Sequence, residues 1–193
     1  MRMIKDEALL KKMETGKVYR RADLSTYSSN LDRYLDKLVK ENKLQKVSAG
    51  LYLRPNTSAF GNLPANDKSL VQSFLKDDRF LINSFNNYNQ LGLGLTQLYN
   101  VQIVYNYKRH GEFELGGKKF VFKRIPKFPS QVTKEFLLVD MLNNLKNLAE
   151  DENLVVASFL TSKDKFDAKK VLDVAKQYGR PKTKKLLEKA YSK

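Results

Sequence analysis

The sequence predicts an α+β protein in two parts, and three observations lead to this prediction. An amphipathic helical stripe near the N-terminus is followed by a segment of alternating polarity. The middle of the chain is rich in β-forming residues around a Gly-Gly pair, and helical spacing returns from about residue 133. A few strands followed by several helices are typical of the α+β class.

The composition supplies a core and restricts the chemistry. The 193 residues fit one large domain or two small ones, and 41% of them are hydrophobic. The absence of cysteine excludes disulfides and thiolate metal sites. A single histidine, His110, argues against a histidine-based metal site or acid–base pair. We therefore expect no catalytic residue, no metal and no cofactor.

Excess positive charge is spread along the whole chain. There are 36 lysines and arginines against 21 acidic residues, which gives a formal net charge of +15. The excess is +6 in residues 1–55, +5 in 56–130 and +4 in 131–193, which favours positive faces on folded domains over a basic tail. A polyanionic partner is expected: nucleic acid, a membrane surface or an acidic protein. No apolar run approaches about 18 residues, so we expect a soluble cytoplasmic protein without membrane contact.

The first 55 residues contain four predicted elements before a ribbon. Residues 4–15 have helical spacing and end at Gly16, residues 17–19 are extended, and residues 21–27 suit a short helix. The next helix carries an apolar stripe at i, i+4, i+7 and i+8. Its members are Leu31, Leu35, Leu38 and Val39.

The stripe-bearing helix is expected to begin at a polar cap. Ser29 is the predicted N-cap, and Asp32 stands in the capping-box position, where Glu is the usual residue. After the helix, residues 44–48 alternate with period two, "AG" supplies a turn, and "LYLRP" returns as a strand. Helix, short strand, helix, helix and two-stranded ribbon is the order of a winged helix-turn-helix, which we predict for residues 1–55.

The helix face opposite the stripe is predicted to contact DNA. Such a helix fits the major groove, its N-terminus presents free N–H groups, and a basic ribbon reaches phosphates beside it. Arg33 or Asn30 suits a base edge, whereas the lysines suit phosphates. The predicted DNA contacts are Arg20, Arg21, Ser28, Ser29, Asn30, Arg33, Lys37, Lys46 and Arg54. The alternatives are a merely solvated face and a winged helix that contacts protein.

The rest of the chain is predicted as a linker and a second domain. Residues 56–66 are rich in Pro, Gly, Asn and Ser and suit a linker, with a C-terminal domain at 67–193. "DKSLVQSFLKDD" has helical spacing, "RFLIN" and "VQIVYNY" suit strands, and "NNYNQLGLG" suits a short helix and turn. "KRHGEFEL" and "KKFVFKRI" are predicted to form a hairpin about Gly116–Gly117. Helices are predicted over 133–151, with Thr133 as the cap, and then in three further segments to the C-terminus.

A basic loop before the hairpin is a second candidate site. Its residues are Tyr107, Lys108, Arg109 and His110. A tyrosine beside cations suits contact with RNA or a nucleotide through base stacking. The alternative is a charged strand end without a ligand.

Enzyme motifs in the sequence are weak. The G-x-G at 92–94 lacks the third glycine and the βαβ context of a dinucleotide loop. Asp77, Asp78, Glu112 and Glu114 lack the spacing of a nuclease site, and we expect them to be solvated.

Several stretches of the sequence carry a resemblance to a known family. The most specific are "YNQLGLGLTQLYN" and "KRHGEFELGG", and "LVQSFLKDDRFL" and "EFLLVDMLNNLKNLAED" extend them. From about residue 15 to 190 the chain resembles the AbiE-type (abortive infection E) antitoxins of type IV toxin–antitoxin systems. The resemblance implies a winged helix that binds operator repeats in its own promoter and represses the operon. It also implies a C-terminal domain that counteracts a nucleotidyltransferase-like toxin without needing a stable complex.

Two other functions remain open from the residues alone. One is a nucleic-acid-processing enzyme, such as a nuclease or a nucleotide-handling protein, although one histidine and no acidic triad argue against it. The other is an interaction module in which the winged helix binds protein without DNA specificity.

Overall fold

The chain folds as a mixed α+β protein that ends in a run of helices, as predicted. The structure, a computed structural model, describes residues 5–27, 30–59 and 61–192. Two compact units divide the chain. Unit 1 comprises residues 1–78 and 112–119, and unit 2 comprises residues 79–111 and 120–193. The predicted domain limits, 1–55 and 67–193, stay a prediction, because compactness does not test which segment folds or acts alone.

Unit 1 begins with helices around a small antiparallel sheet. Its elements up to residue 75 are α1 (Lys5–Lys12), β1 (Val18–Arg20), α2 (Arg21–Leu24), α3 (Leu31–Lys40), β2 (Gln45–Ser48), β3 (Leu51–Leu53), β4 (Thr57–Ser58), β5 (Gly61–Asn62) and α4 (Asp67–Leu75). A 3-10 helix, Ser25–Tyr27, follows α2. The sheet has the order β1-β3-β2, with Val18 and Gln45 paired to Leu53 from opposite sides. Strands β4 and β5 form a hairpin within the predicted linker.

The predicted apolar stripe of α3 is confirmed as part of the unit 1 core. Leu31, Leu35 and Leu38 are buried against Leu9 and Met13 of the α1 region. A leucine at every third or fourth position gives the helix one apolar side, and burial of that side holds it against α1. The same spacing leaves the opposite side to charged residues.

The predicted capping box of α3 needs correction. The residue before the helix is Asn30, whose side chain makes no capping hydrogen bond, and Ser29 lies outside the described residues. The Asp32 carboxylate accepts from the Arg21 guanidinium instead of a backbone N–H. A bidentate pair with an arginine is stronger than one bond to an amide, so the carboxylate faces α2.

Unit 2 combines a sheet with a helical layer. The tip of the β8–β9 hairpin, residues 112–119, belongs to unit 1. The elements are β6 (Phe80–Asn83), β7 (Val101–Asn106), β8 (Gly111–Leu115), β9 (Lys118–Arg124), α5 (Lys134–Asn143), α6 (Glu152–Ser162), α7 (Ala168–Tyr178) and α8 (Pro181–Tyr191). The strand order is β6-β7-β9-β8, and β6 runs antiparallel to β7. A 3-10 helix, Phe85–Leu91, connects β6 towards β7.

Helix α5 is the centre of the unit 2 core. Residues 136–142 are all buried, because α5 is covered by α7, α8 and the 3-10 helix at Phe85–Leu91. The Thr133 hydroxyl accepts from the Phe136 N–H at 3.1 Å, which confirms the predicted cap. The helix predicted over 133–151 ends at Asn143, and a separate 3-10 turn follows.

Across residues 5–27, 30–59 and 61–192, no helix has both the length and the apolar character needed to cross a membrane.

Candidate nucleic-acid interface

The exposed side of α3 has a basic flank. Arg33, Lys37 and Lys40 are exposed and recur at i, i+4 and i+7, so they lie in one row along the helix. The row lies on the side of α3 away from the buried leucines. One row of cations on a helix held by its other side is an arrangement that suits a groove lined by phosphates.

Helix α3 also carries two acidic residues, Asp32 and Asp36. Asp32 accepts two hydrogen bonds from Arg21, at 2.5 and 2.6 Å, and this bonding holds the pKa of Asp32 below its ordinary value. Burial, and then the charges of Asp36 and Asp32, raise the pKa of Tyr52 on β3. Both acidic residues are exposed, and Asp36 lies three residues from Arg33 and four from Lys40, so it borders the basic flank.

Another acidic residue, at the end of α3, also borders the basic flank. Glu41, at the C-cap of α3, lies 3.7 Å from the Lys37 ammonium and 2.8 Å from that of Lys43. All three side chains are substantially exposed, so these pairs are weak and exchange readily for phosphate. Lys46 is exposed on β2, in register with Tyr52.

The guanidinium groups of Arg20 and Arg54, both predicted DNA contacts, bond backbone carbonyls at helix ends. The Arg20 guanidinium donates to the carbonyls of Ser73 at 2.5 Å and Phe74 at 3.1 Å, at the end of α4. Arg54 donates to the carbonyl of Leu10 at 2.6 Å and to that of Met13, at the end of α1. The last carbonyls of a helix lack intrahelical partners and carry partial negative charge, so each arginine closes a helix end.

The remaining predicted contacts differ in how they are placed. Arg21 is exposed but joins α2 to α3 through Asp32. Asn30 is exposed at the start of α3, and Ser28 and Ser29 lie outside the described residues. The structure thus brings Asn30, Arg33, Lys37 and Lys46 to the surface of α3 and the adjacent ribbon.

The basic loop of unit 2 is fixed by one buried side chain. The Asn106 amide oxygen accepts from the Lys108 and Arg109 N–H groups at 2.8 and 2.6 Å, and its nitrogen donates to the Arg109 carbonyl at 3.0 Å. The side chains of Lys108, Arg109 and His110 are exposed. An asparagine that bonds the backbone two and three residues later forms a stable turn.

Tyr107 is engaged by its own unit. Its ring packs on Phe128 with centroids 4.6 Å apart, and the Arg79 guanidinium lies 5.6 Å from the ring centroid. The stacking role predicted for Tyr107 would therefore use a ring already in aromatic and cation–π contact. Of the predicted loop residues, Lys108, Arg109 and His110 present the more open surface.

Sequence reasoning missed a polar network in the unit 2 core. The carboxylate of Asp140 is 4% exposed, and one of its oxygens accepts from Tyr105 at 2.6 Å and Asn144 at 3.1 Å. The other oxygen accepts from Tyr88 at 2.8 Å and Asn83 at 2.9 Å. Each oxygen thus has two donors, which is what a buried carboxylate requires.

The electrostatics of this network are those of a buried charge. Burial raises the pKa of Asp140, and the donated hydrogen bonds oppose that rise. Burial, and then the Asp140 charge, raise the pKa values of Tyr88 and Tyr105, so both hydroxyls remain protonated donors. The signal was present in the sequence, because Asp140 interrupts the otherwise apolar run at 136–142.

A cavity of about 260 Å³ opens beside Asp140 in unit 2. Lys123 on β9 is half-buried there and donates to the Asn144 amide oxygen at 2.8 Å. Burial, and then the charge of Arg180, lower the pKa of Lys123, whereas Asp140 raises it. The lining residues are Tyr105, Lys123, Ile125, Pro126, Lys127, Phe136, Asp140, Asn143, Asn144, Gln177, Tyr178, Gly179 and Arg180.

No cluster of metal-binding side chains occurs in the part of the chain that the structure describes. The carboxylates at 77, 78, 112 and 114 accordingly form no such cluster. The G-x-G glycines, Gly92 and Gly94, have φ values of 67° and 80° and follow the 3-10 helix as turn residues. Neither feature builds a site.

Comparisons with known proteins identify one match. A family model described as a family of unknown function, DUF6088, matches residues 5–157, which is more than half of the chain. No curated protein and no solved structure matches the chain. The match carries no function, so the resemblance to the AbiE-type antitoxins stays a prediction.

Proposed function

The chain belongs to the DUF6088 family, a family of unknown function, and we propose that it is a DNA-binding protein whose α3 enters the major groove. In this proposal, unit 1 acts as a winged helix-turn-helix: α2 and α3 form the helical pair, and the ribbon β2–β3 is the wing.

The basic flank of α3 carries the proposal. Arg33, Lys37 and Lys40 form an exposed row on the side of α3 opposite the buried leucines, and Asp32 is paired with Arg21. A row of cations attracts a polyanion along one line, and the exposed carboxylate of Asp36 beside the row weakens that attraction. Phosphate contact by lysines positions the helix, and Arg33 with its planar guanidinium is suited to a guanine edge.

The antitoxin role is the wider part of the proposal and rests on the resemblance alone. The protein would repress its own operon through unit 1 and oppose a nucleotidyltransferase-like toxin through the C-terminal part of the chain. Lys108, Arg109 and His110 are candidate contacts for that second activity, on a turn that Asn106 holds in place. Loss of toxin rescue in R109A, with DNA binding retained, would support this assignment, and full rescue would count against it.

DNA binding is tested first, by fluorescence anisotropy at several salt concentrations. The probes are the duplex upstream of the gene and a scrambled duplex of equal length. We expect tight binding to the upstream duplex only. The double variant R33A/K37A should bind it roughly ten- to a hundredfold more weakly, with a salt slope smaller by about 2, because two cations no longer displace counterions.

A charge-matched control separates recognition from net charge. K68A/K119A removes two exposed cations of unit 1 that lie outside α3 and the ribbon, and it should leave the affinity close to that of the wild type. Equal losses in both double variants, or equal weak binding of both duplexes, would contradict groove recognition by α3. The protein-contact alternative would then be the better interpretation of unit 1.

A further inference from the structure

The Asp140 carboxylate, which lines the cavity, is not available to bind a cation. Both carboxylate oxygens of Asp140 already accept two hydrogen bonds each from side chains of unit 2. Their lone pairs are therefore occupied, and a metal ion or an ammonium group would have to displace buried donors to reach them. Other charges of the cavity must decide what it binds.

Those other charges are all positive. Among the described residues that line the cavity, Asp140 is the sole acid, whereas Lys123, Lys127 and Arg180 are cations. Lys123 is half-buried and gives one hydrogen bond, to Asn144, although an ammonium group has three to give. Asp140 raises the pKa of Lys123 by more than the Arg180 charge lowers it, so Lys123 is attracted by the buried carboxylate more strongly than it is repelled by Arg180. Three cations against one carboxylate leave the cavity with a net positive charge, which favours an anion.

An aromatic wall stands next to these cations. Tyr178 is half-buried, packs edge-on against Phe136 with centroids 5.7 Å apart, and ends α7 directly before Gly179 and Arg180. Pro126 and Ile125 add apolar surface on the strand side. A flat ring is the group that such a wall accommodates, because aromatic contacts are worth more than their buried area alone.

We propose that this cavity binds a small phosphate monoester carrying a planar ring, the size of a nucleoside monophosphate, with its phosphate between Lys123 and Arg180 and its ring against Tyr178. A volume of about 260 Å³ lies just below the usual range of ligand pockets, roughly 300–1,000 Å³, and suits one ring with one phosphate better than a dinucleotide. The proposal concerns unit 2 only and goes beyond DNA binding by α3.

Isothermal titration calorimetry on the full chain tests this ligand. The probes are AMP, GMP, CMP and UMP, with inorganic phosphate and adenosine as the two halves of the ligand. We expect saturable binding of at least one nucleotide at one site per chain, and much weaker binding of each half. Lys123→Met and Arg180→Ala should each weaken nucleotide binding about tenfold or more, because each removes a charged hydrogen-bond partner.

Arg124→Ala is the matched control. Arg124 is exposed and adjacent to Lys123 on β9, so its side chain leaves the opposite face of the strand and does not line the cavity. Its affinity for the nucleotide should equal that of the wild type. R33A/K37A should also bind the nucleotide normally, so failure of this proposal and failure of DNA recognition are distinguishable.

Three results would overturn the proposal. They are the absence of saturable binding with all four nucleotides, binding that survives both K123M and R180A, and inorganic phosphate binding as tightly as the nucleotides. Arg180 is exposed, so R180A keeps the test valid even where K123M lowers stability.

Discussion

Helices α3 and α5 both bury apolar residues, α3 along one side and α5 all round, but their charged residues lie in opposite environments. In α3 the leucines face one side, and the charged residues are exposed or paired at the surface. In α5 every residue from 136 to 142 is buried, and Asp140 is buried with them. The difference shows that a charge on a helix has two stable environments: water, or a shell of donors that satisfies each lone pair.

The largest expected change in stability comes from removing the buried carboxylate of α5. Asp140→Ala would leave two tyrosine hydroxyls and the Asn83 amide buried without this acceptor. We expect a loss of about 3–5 kcal/mol in the free energy of unfolding, measured by urea denaturation. Asp32→Ala on α3 removes a carboxylate from an exposed pair with Arg21 and should cost far less. Similar losses in the two variants would contradict the distinction.

A smaller change in stability should distinguish Arg54, which bonds helix carbonyls, from Arg33, which is exposed on α3. Arg54→Ala should lower the free energy of unfolding by about 1–2 kcal/mol, because the last carbonyls of the α1 region lose their donor. Arg33→Ala should leave stability nearly unchanged and weaken DNA binding instead. Thermal denaturation and the anisotropy titration, run on both variants, check this. An R54A protein of wild-type stability would contradict this structural role of Arg54.

The smallest effect is a dependence on pH. Burial raises the folded-state pKa of Asp140 above its ordinary value of 3.8, so the folded protein holds that proton more tightly than the unfolded chain. The resulting stabilisation is fully present below pH 3.8 and is lost as the pH rises through the folded-state value. The free energy of unfolding of the wild type minus that of D140N should therefore fall with rising pH in that window. Denaturation of both proteins at several pH values measures this difference, and a flat profile would contradict it.

The sequence predicted what depends on neighbours along the chain. The α3 stripe, the Thr133 cap and the turn at Gly116–Gly117 follow from spacing within a few residues, and all three are observed. The helical order of the first 55 residues followed from the same local patterns. Such features are encoded by period and by capping chemistry, which one segment carries by itself.

The contacts that the sequence did not predict join residues far apart along the chain. Arg54 bonds carbonyls 41 and 44 residues away, and Arg20 bonds carbonyls 53 and 54 residues away. In sequence, both resemble the surface arginine Arg33, because a cation among polar residues looks the same in either role. The Asp140 network likewise joins residues 35 to 57 apart, apart from its own helical neighbour Asn144.

The hairpin tip at 112–119 affects when unit 1 can complete its fold during synthesis. Within unit 1, the Gly116 N–H donates to the Val47 carbonyl at 2.7 Å, and the Lys118 ammonium lies 2.6 Å from the Asp67 carboxylate. During synthesis these contacts form only after residue 119 has left the ribosome, although the segment with α3 emerges some 80 residues earlier. Unit 1 can therefore form its last contacts only after β6 and β7, which belong to unit 2, have been synthesised.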